Sequence, residues 1–367
     1  MEEAADKTLD SMSGNASASG ERFLRFQLSP LNRRRWANFR ANKRGYWSLW
    51  IVGIMLFVSL FAELIANDKP ILVEYRDQLY MPVLSVYPET EFGGVLETEA
   101  DFRDPVVRQL ISAADGWMLW PLIPFSFDTI DRDTDEAVPE APSGRHWLGT
   151  DDVGRDVVAR LIYGFRLSML FGLGLTILAS IIGVAVGAVQ GYFGGLTDLL
   201  GQRFVEIWTG LPTLFVIIIL TSMFQPGAMA LLLILLAFSW TTLVSLVRAE
   251  FLRTRNFEYV TAARALGEGD FVIMGRYVLP NAMVATLTYL PFILSGSITT
   301  LTALDFLGFG LPAGYPSLGE LLAQGKANLQ APWLGLAGFF TLATLLTLLV
   351  FVGEGVRDAF DPRRSVQ

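Results

Sequence analysis

Six long apolar segments constrain the fold of this chain more than any other feature. Each has about 20 residues, the length that an α-helix needs to cross the hydrocarbon core of a bilayer. Buried helices of a large soluble core are the alternative, but they would need many amphipathic partner helices, and the chain has too few. We therefore predict an all-α polytopic membrane protein with six transmembrane helices, at residues 46–66, 165–189, 204–224, 228–247, 282–304 and 333–353.

Composition agrees with a membrane location, because 52% of the residues are hydrophobic and only 17% are charged. Basic residues without an intervening acid precede the first segment: Arg33, Arg34, Arg35, Arg40, Lys43 and Arg44. They predict a cytoplasmic N-terminal tail over residues 1–45. Six crossings return the C-terminal tail, residues 358–367, to the same side.

The segment between the first two spans, residues 67–160, has the opposite charge, with 19 acidic against eight basic residues. We predict that it is an extracytoplasmic insertion. A small core could form there from five aromatic residues: Phe92, Trp117, Trp120, Phe125 and Phe127. Residues 131–144 read as a polar, proline-interrupted loop, for which a solvated face is more plausible than a calcium site.

Catalytic possibilities are few, because His146 is the single histidine and the chain has no cysteine. Neither a Ser-His-Asp arrangement nor an HExxH motif is present. The stretch GELLAQGK (residues 319–326) resembles a phosphate loop, but five residues separate its glycines and Ala327 follows its lysine, so a Mg²⁺-binding hydroxyl is missing. We predict that the chain is not an enzyme and itself binds no metal or cofactor.

A charged segment, residues 248–281, separates the fourth and fifth spans and is predicted to face the cytoplasm. Within it Tyr259, Ala262, Ala263 and Leu266 recur at helical spacing, and Gly267 suits a C-terminal cap. We expect a short helix at residues 258–267. A second short helix, capped by Asp270, should end near Pro280. From the residues alone, a partner-binding helix and a loop packed on its own bundle are equally plausible.

The same segment resembles the EAA loop of ABC importer permeases. Ala262, Ala263, Gly267, Leu279 and Pro280 match in register, while Thr261 stands where the motif usually has Glu. The stretch HWLGTDDVGRDVVARLIYGFRLSM (residues 146–169) resembles the signature that precedes the membrane core in C-type permeases of dipeptide and oligopeptide importers. There His146 would be a structural loop residue. The resemblance implies ATPase-coupling roles for Glu258, Tyr259, Thr261, Ala262, Ala263, Arg264, Leu266, Gly267, Leu279 and Pro280.

Further stretches resemble a subgroup of these permeases with an enlarged outer loop: RGYWSLW, ELIANDKP, TLTALDFLGFGLP and LQAPWLG. This implies a type I ABC importer permease fold with a core at residues 161–357 in a bacterial inner membrane. It also implies uptake of oligopeptides and of the peptide-nucleotide antibiotic microcin C. The implied partners are a second permease, a double ATPase subunit that uses ATP and Mg²⁺, and a periplasmic binding protein. We expect no nucleic-acid partner.

Two alternatives stay open at this point. The first is a secondary transporter or channel without an ATPase, which would need ionisable groups inside the membrane. The candidates, Glu63, Glu206, Asp305 and Glu354, lie near span ends, where solvated anchoring is the more plausible role. The second concerns Gly183, Gly187 and Gly191, whose four-residue spacing suits either close helix packing or gating.

Overall fold

The structure is a computed structural model that describes residues 30–132, 137–224, 226–312 and 314–361. Its helices, in chain order, are α1 (Pro30–Ala41), α2 (Lys43–Leu60), α3 (Ala62–Ile65), α4 (Pro105–Ala113), α5 (Val157–Phe193), α6 (Gly195–Thr209), α7 (Thr213–Phe224), α8 (Ala228–Ser239), α9 (Thr241–Thr254), α10 (Glu258–Ala265), α11 (Asp270–Val272), α12 (Leu279–Phe306), α13 (Leu318–Ala327) and α14 (Pro332–Phe360). The strands are β1 (Leu72–Tyr75), β2 (Gln78–Tyr80) and β3 (Met118–Leu119), and a 3₁₀ turn covers Glu89–Phe92.

In the described part of the chain, four helical stretches are long and apolar enough to cross a membrane: Val157–Phe193, Ala228–Thr254, Asp270–Phe306 and Pro332–Phe360. A fifth crossing exists if the bent pair α6–α7 is one span. The first predicted span corresponds to α2, which has 18 residues but begins with Lys43 and Arg44. The count of six therefore stays a prediction.

Two predicted spans differ in form from the helices that the structure contains. The second, at residues 165–189, is the middle of α5, whose 37 residues extend about 56 Å and so exceed the thickness of the hydrocarbon core. The third is not one straight helix, because α6 and α7 meet at an angle of 65°. Pro212 lies in that break and has no backbone N–H to continue the helix.

Glycines on α5 allow α9 to pack directly against it. A Cβ atom on Gly187 would lie 2.8 Å from the carbonyl oxygen of Val244, and one on Gly191 would lie 2.5 Å from the Cβ of Phe251. Any side chain at these positions would push the two helices apart. The glycine spacing therefore serves close helix packing.

The connection from α10 into the next span also differs from the prediction. A π-helical turn, Ile273–Val278, joins α11 to α12 without a break. The backbone N–H of Leu279 accordingly donates to the carbonyl of Met274, five residues earlier. The prediction of a helix that ends near Pro280 is wrong: Pro280 lies inside one continuous helical stretch, Asp270–Phe306, just after the π-helical turn.

The segment predicted to be an insertion, residues 67–160, folds around a three-stranded antiparallel sheet of order β2-β1-β3. The five aromatic residues do not form one core. Phe92 and Trp120 belong to a cluster on the sheet and α4, whereas Phe125 and Phe127 pack with Ala62, Ala66, Ala159 and Tyr163 and so join the insertion to α5. Trp117 is exposed.

The predicted polar loop at residues 131–144 is solvated only in part. Residues 133–136 lie outside the described part of the chain. Asp131 and Glu140 are buried, so the expectation of a solvated face is wrong at these two positions. Ion pairs with Arg103 and Arg145 compensate the charge of Asp131.

Candidate functional site

The short helix α10 lies at the end of the α5–α9 pair and is fixed there by Arg255. This side chain follows α9 and donates hydrogen bonds from Nη1 to the carbonyl oxygens of Gly191 (3.2 Å) and Tyr192 (3.1 Å). Both acceptors belong to the last turn of α5, whose final carbonyls have no partner within the helix. The arginine therefore holds the turn between α9 and α10 against α5.

Gly267 ends α10 in the way that the sequence predicts. Its φ angle is +83°, in the left-handed region. Its N–H donates to the carbonyl of Arg264, and the N–H of Glu268 donates to that of Ala263. These two bonds form a Schellman motif, which satisfies carbonyls that the helix leaves unpaired.

One face of α10 packs against the bundle. Val260 and Ala263 are buried there in a cluster with Phe251 of α9 and with Ile273 and Val278 of the π-helical turn. The helical spacing in the sequence predicts that Ala263 shares one apolar face with Tyr259, Ala262 and Leu266. The structure corrects this assignment, because the side chain of Ala263 points into the bundle and cannot form part of an exposed surface.

The face of α10 that adjoins the buried one is exposed and apolar. It consists of Tyr259, Ala262 and Leu266, flanked by Phe257 and Phe271. Leu266 is 85% exposed and Phe271 is 81% exposed. Phe271 lies at the start of the stretch Asp270–Phe306, which is long and apolar enough to cross a membrane, so the exposure of Leu266, which precedes that stretch, is the stronger indication of an interaction site. We call these five residues the docking face.

Polar contacts fix the flanks of the docking face. Asn281 donates to the hydroxyl of Tyr259 (2.6 Å). The guanidinium of Arg264 lies 5.7 Å from the ring centroid of Tyr192, and the hydroxyl of Tyr192 donates to Asp270 (2.6 Å). α10 is thereby connected to α5, α11 and α12.

The remaining predicted coupling residues lie nearby. Glu258 is exposed in the first turn of α10, where its charge suits the positive end of the helix dipole. Thr261 is exposed, and its hydroxyl donates to the carbonyl of Phe257 (3.3 Å), so no carboxylate stands at the position where the EAA motif usually has one. Leu279 packs on the buried cluster beneath α10, and Pro280 is exposed.

The segment before α5 forms a second, buried polar cluster around His146. Its Nδ1 lies 2.8 Å from Asp156 and its Nε2 lies 3.2 Å from Asp131. Asp156 also accepts from the backbone N–H of Ala159 and so caps α5. Burial by itself would lower the pKa of His146, but the hydrogen bonds to Asp156 and Asp131 outweigh it and raise the pKa above its ordinary value. His146 is thus a structural residue.

Arg160, near the start of α5, forms a further set of buried ionic contacts. The sequence alone does not predict them. The side chain of Arg160 is fully buried, and its Nη2 lies 2.6 Å from Glu320 of α13. Arg155 lies 3.1 Å from the other carboxylate oxygen of Glu320 and 2.7 Å from Asp151. Glu320 belongs to the stretch GELLAQGK. The one signal in the sequence that could have indicated its role is the presence of an acidic residue in a mainly apolar helix. The cluster joins the insertion to α13.

Two of the four ionisable residues named above, Glu63 and Asp305, form polar contacts with other parts of the chain, whereas Glu206 and Glu354 are exposed. Glu63 pairs with Arg166 (2.8 Å). Asp305 accepts from the hydroxyl of Ser317 and from the backbone N–H of Leu311, so it closes the turn after α12 and is not simply solvated. In the described part of the chain, no group of three or more His, Cys, Asp or Glu residues could hold a metal ion.

Comparison with known proteins gives two matching families. Residues 179–366 match the family described as "Binding-protein-dependent transport system inner membrane component". Residues 29–82 match the "N-terminal TM domain of oligopeptide transport permease C".

Individual relatives are permeases of the same kind. The "Inner membrane ABC transporter permease protein YejE" of Escherichia coli is 58% identical over 93% of this chain and 99% of its own length. The "Peptidoglycan transport system permease protein YejE" of Agrobacterium fabrum is 55% identical over 92% of this chain and 94% of its own. The "Oligopeptide transport system permease protein OppC" of Haemophilus influenzae is 34% identical over 65% of this chain and 77% of its own.

The raised pKa of His146 predicts that the insertion is more stable at acidic than at alkaline pH. The stabilisation by protonated His146 is complete below the pKa of an unfolded histidine, about 6.5, and is lost as the pH rises through the higher folded value. Hydrogen exchange of residues 137–160 should therefore accelerate between pH 6 and pH 9 beyond the chemical effect of pH. His146→Gln should remove this dependence, and because the chain has a single histidine, an unchanged dependence in the variant would contradict the assignment.

Proposed function

Because the chain belongs to the binding-protein-dependent ABC importer permeases of the oligopeptide and dipeptide group, we propose that α10 is the element that couples it to the ATPase of its transporter. Such permeases are multi-pass inner-membrane subunits that are not themselves enzymes, and they work with an ATPase, a second permease and a binding protein. The secondary transporter or channel considered above is set aside by this membership.

The observation that supports the proposal is the docking face. A helix that faced only water at this position would gain nothing from exposing a side chain as large and apolar as that of Leu266. A hydrophobic cleft on a partner would cover the docking face and leave the polar contacts at the flanks intact. The size of α10, eight residues, suits insertion of a short helix into a groove.

The buried face of α10 supplies the route by which force would reach the spans. When the ATPase closes around ATP and Mg²⁺, both held by the ATPase, it moves the helix docked in its cleft. Val260 and Ala263 then press on Phe251 of α9, and Arg255 pulls on the end of α5. Because α5 and α9 are in backbone contact through Gly187 and Gly191, they move together.

Coupling also has a thermodynamic condition. ATP can shift the permease between its inward-open and outward-open states only if the ATPase binds α10 with different affinity in the two states. The spans would then tilt around the substrate pathway and open it alternately to one side of the membrane and to the other. Thr261 supplies no carboxylate for this contact, so the apolar residues of the docking face, with Glu258 and Arg264 beside them, would provide the binding energy.

The proposed arrangement places α10 and both chain termini in the cytoplasm and the insertion, residues 67–160, in the periplasm. The basic residues before α2 support this orientation. The partners would be a second permease of the YejB type, an ATPase of the YejF type and a periplasmic binding protein of the YejA type. The high identity to two YejE permeases over most of the chain supports these assignments.

The proposed substrates are oligopeptides and peptide-like compounds, with microcin C as one candidate. The names of the relatives support a peptide class, since one refers to oligopeptide transport and another to peptidoglycan. In the reconstituted complex with its binding protein, oligopeptides should stimulate ATP hydrolysis, and free amino acids, which serve as the control, should not. Stimulation by neither peptides nor peptidoglycan fragments would contradict the substrate class.

Substitutions at two adjacent alanines distinguish an effect on ATPase docking from an effect on folding. Ala262→Arg places a long charged side chain on the docking face and should leave membrane levels unchanged. Retention of the ATPase on co-purification should fall about tenfold or more, as expected for damage to the centre of an interface. Ala263→Arg would bury an unpaired charge at a cost of about 3–5 kcal/mol, so the chain itself should be lost. If Ala262→Arg retains the ATPase fully, α10 does not dock it.

Two neighbouring glycines test the helix cap in the same assay. A Cβ atom meets nothing within 4 Å at Gly267 or at Gly269, but only Gly267 has a positive φ, whereas the φ of Gly269 is −70°. Gly267→Val should therefore strain the backbone by about 1–3 kcal/mol, misplace Leu266 and reduce transport at matched membrane levels. Gly269→Val should transport normally. Equal transport by both variants would show that the geometry of the cap is irrelevant to coupling.

A further inference from the structure

We propose that the outward face of α6, continued on α7, is the surface that the second permease subunit covers. This inference rests on the family membership and on the assembly described above, but it concerns a different surface from the docking face. The two proposals can therefore fail separately.

The orientation of α6 is fixed by contacts on its inward face. Asp198 forms an ion pair with Arg248 of α9. A Cβ atom on Gly201 would lie 2.6 Å from the side-chain nitrogen of Gln190 on α5. The indole N–H of Trp208 donates to the carbonyl of Ala237 (2.7 Å). These residues recur at helical spacing, so the other side of α6 must point away from the bundle.

The outward face presents large apolar side chains. No residue of α6 is buried. Leu196 is 75% exposed, Leu200 is 66% exposed and Ile207 is 71% exposed. α7, which follows the 65° bend, also exposes apolar side chains: Phe215, Ile219 and Met223 recur every four residues and are each more than half exposed.

A charged pair lies in the middle of this apolar stripe. Arg203 is seven residues after Leu196 and four before Ile207, and therefore shares their side of the helix. It pairs with Glu206, one turn further on, and the two side chains are 67% and 53% exposed. The stripe is thus neither uniformly apolar nor uniformly polar.

This combination identifies the kind of surface that fits. Lipid chains would cover the leucines and isoleucine, but they would offer no polar partner to the guanidinium N–H groups of Arg203 and the carboxylate lone pairs of Glu206 that the ion pair leaves unused. Water would solvate the ion pair but not the apolar side chains on both sides of it. Another membrane protein, with apolar side chains around a few polar groups, satisfies both. The transporter contains such a chain, the second permease.

The experiment places a photo-crosslinking amino acid at Ile207 in the complete transporter. The control is the same substitution at Phe340 of α14, which is 61% exposed on a helix remote in sequence from α6. We expect a crosslink from position 207 to the second permease and a much weaker one from position 340. A crosslink from position 207 only to lipid, to the ATPase or to another copy of this chain would overturn the inference.

Single substitutions of the ion pair give a second readout. Arg203→Leu makes the stripe uniformly apolar. If the stripe faced lipid, this variant should be as stable as the wild type or more so. If the second permease covers it, co-purification of that subunit should fall at least several-fold, and Glu206→Gln should act in the same direction. Unchanged retention of the second permease in both variants would contradict the inference.

A crosslinker at Leu266 distinguishes the two proposals. A product between position 266 and the ATPase, together with no product between position 207 and the second permease, would refute only the surface on α6. The reverse pattern would refute only the role of α10.

Discussion

Direct backbone contact between α5 and α9 is the constraint on which the rest of the structure depends. Gly183, Gly187 and Gly191 remove the side chains that would otherwise separate the two helices. The end of α5 therefore lies within reach of Arg255, which fixes the start of α10. A helix of eight residues has little stability of its own in water. Its position is instead imposed by the pair of long helices on which it rests.

A second constraint operates at the other end of α5. The fully buried Arg160 pairs with Glu320, and the capping residue Asp156 is bonded to His146. Breaking such a buried pair costs far more than an exposed one contributes. α5 is consequently fixed to the insertion and α13 at one end and to α10 at the other. A displacement of α10 therefore has a continuous, packed route along α5 to residues 67–160.

Local signals in the sequence sufficed for some of these features. The extent of α10 and the left-handed conformation of Gly267 follow from spacing and from the properties of glycine, which act over a few residues. The burial of Ala263 could not be predicted from the sequence, because Ala263 is chemically identical to the exposed Ala262. Only the packing of Ala263 against Phe251 and Ile273 distinguishes the two alanines. The pairing of Arg160 with Glu320 joins residues far apart in the chain. The break between α6 and α7 follows from Pro212, whose ring cannot continue a helix, whereas hydrophobic periodicity does not report the π-helical turn.

The most direct test of the account uses the absence of cysteine from the chain. In Leu266→Cys the single thiol lies at the centre of the docking face, where the native side chain is 85% exposed. Inside-out vesicles would be treated with a maleimide before and after the ATPase subunit is stripped and rebound. We expect rapid labelling in stripped vesicles and strong protection once the ATPase is rebound. Equal labelling with and without the ATPase would contradict the claim that α10 docks it.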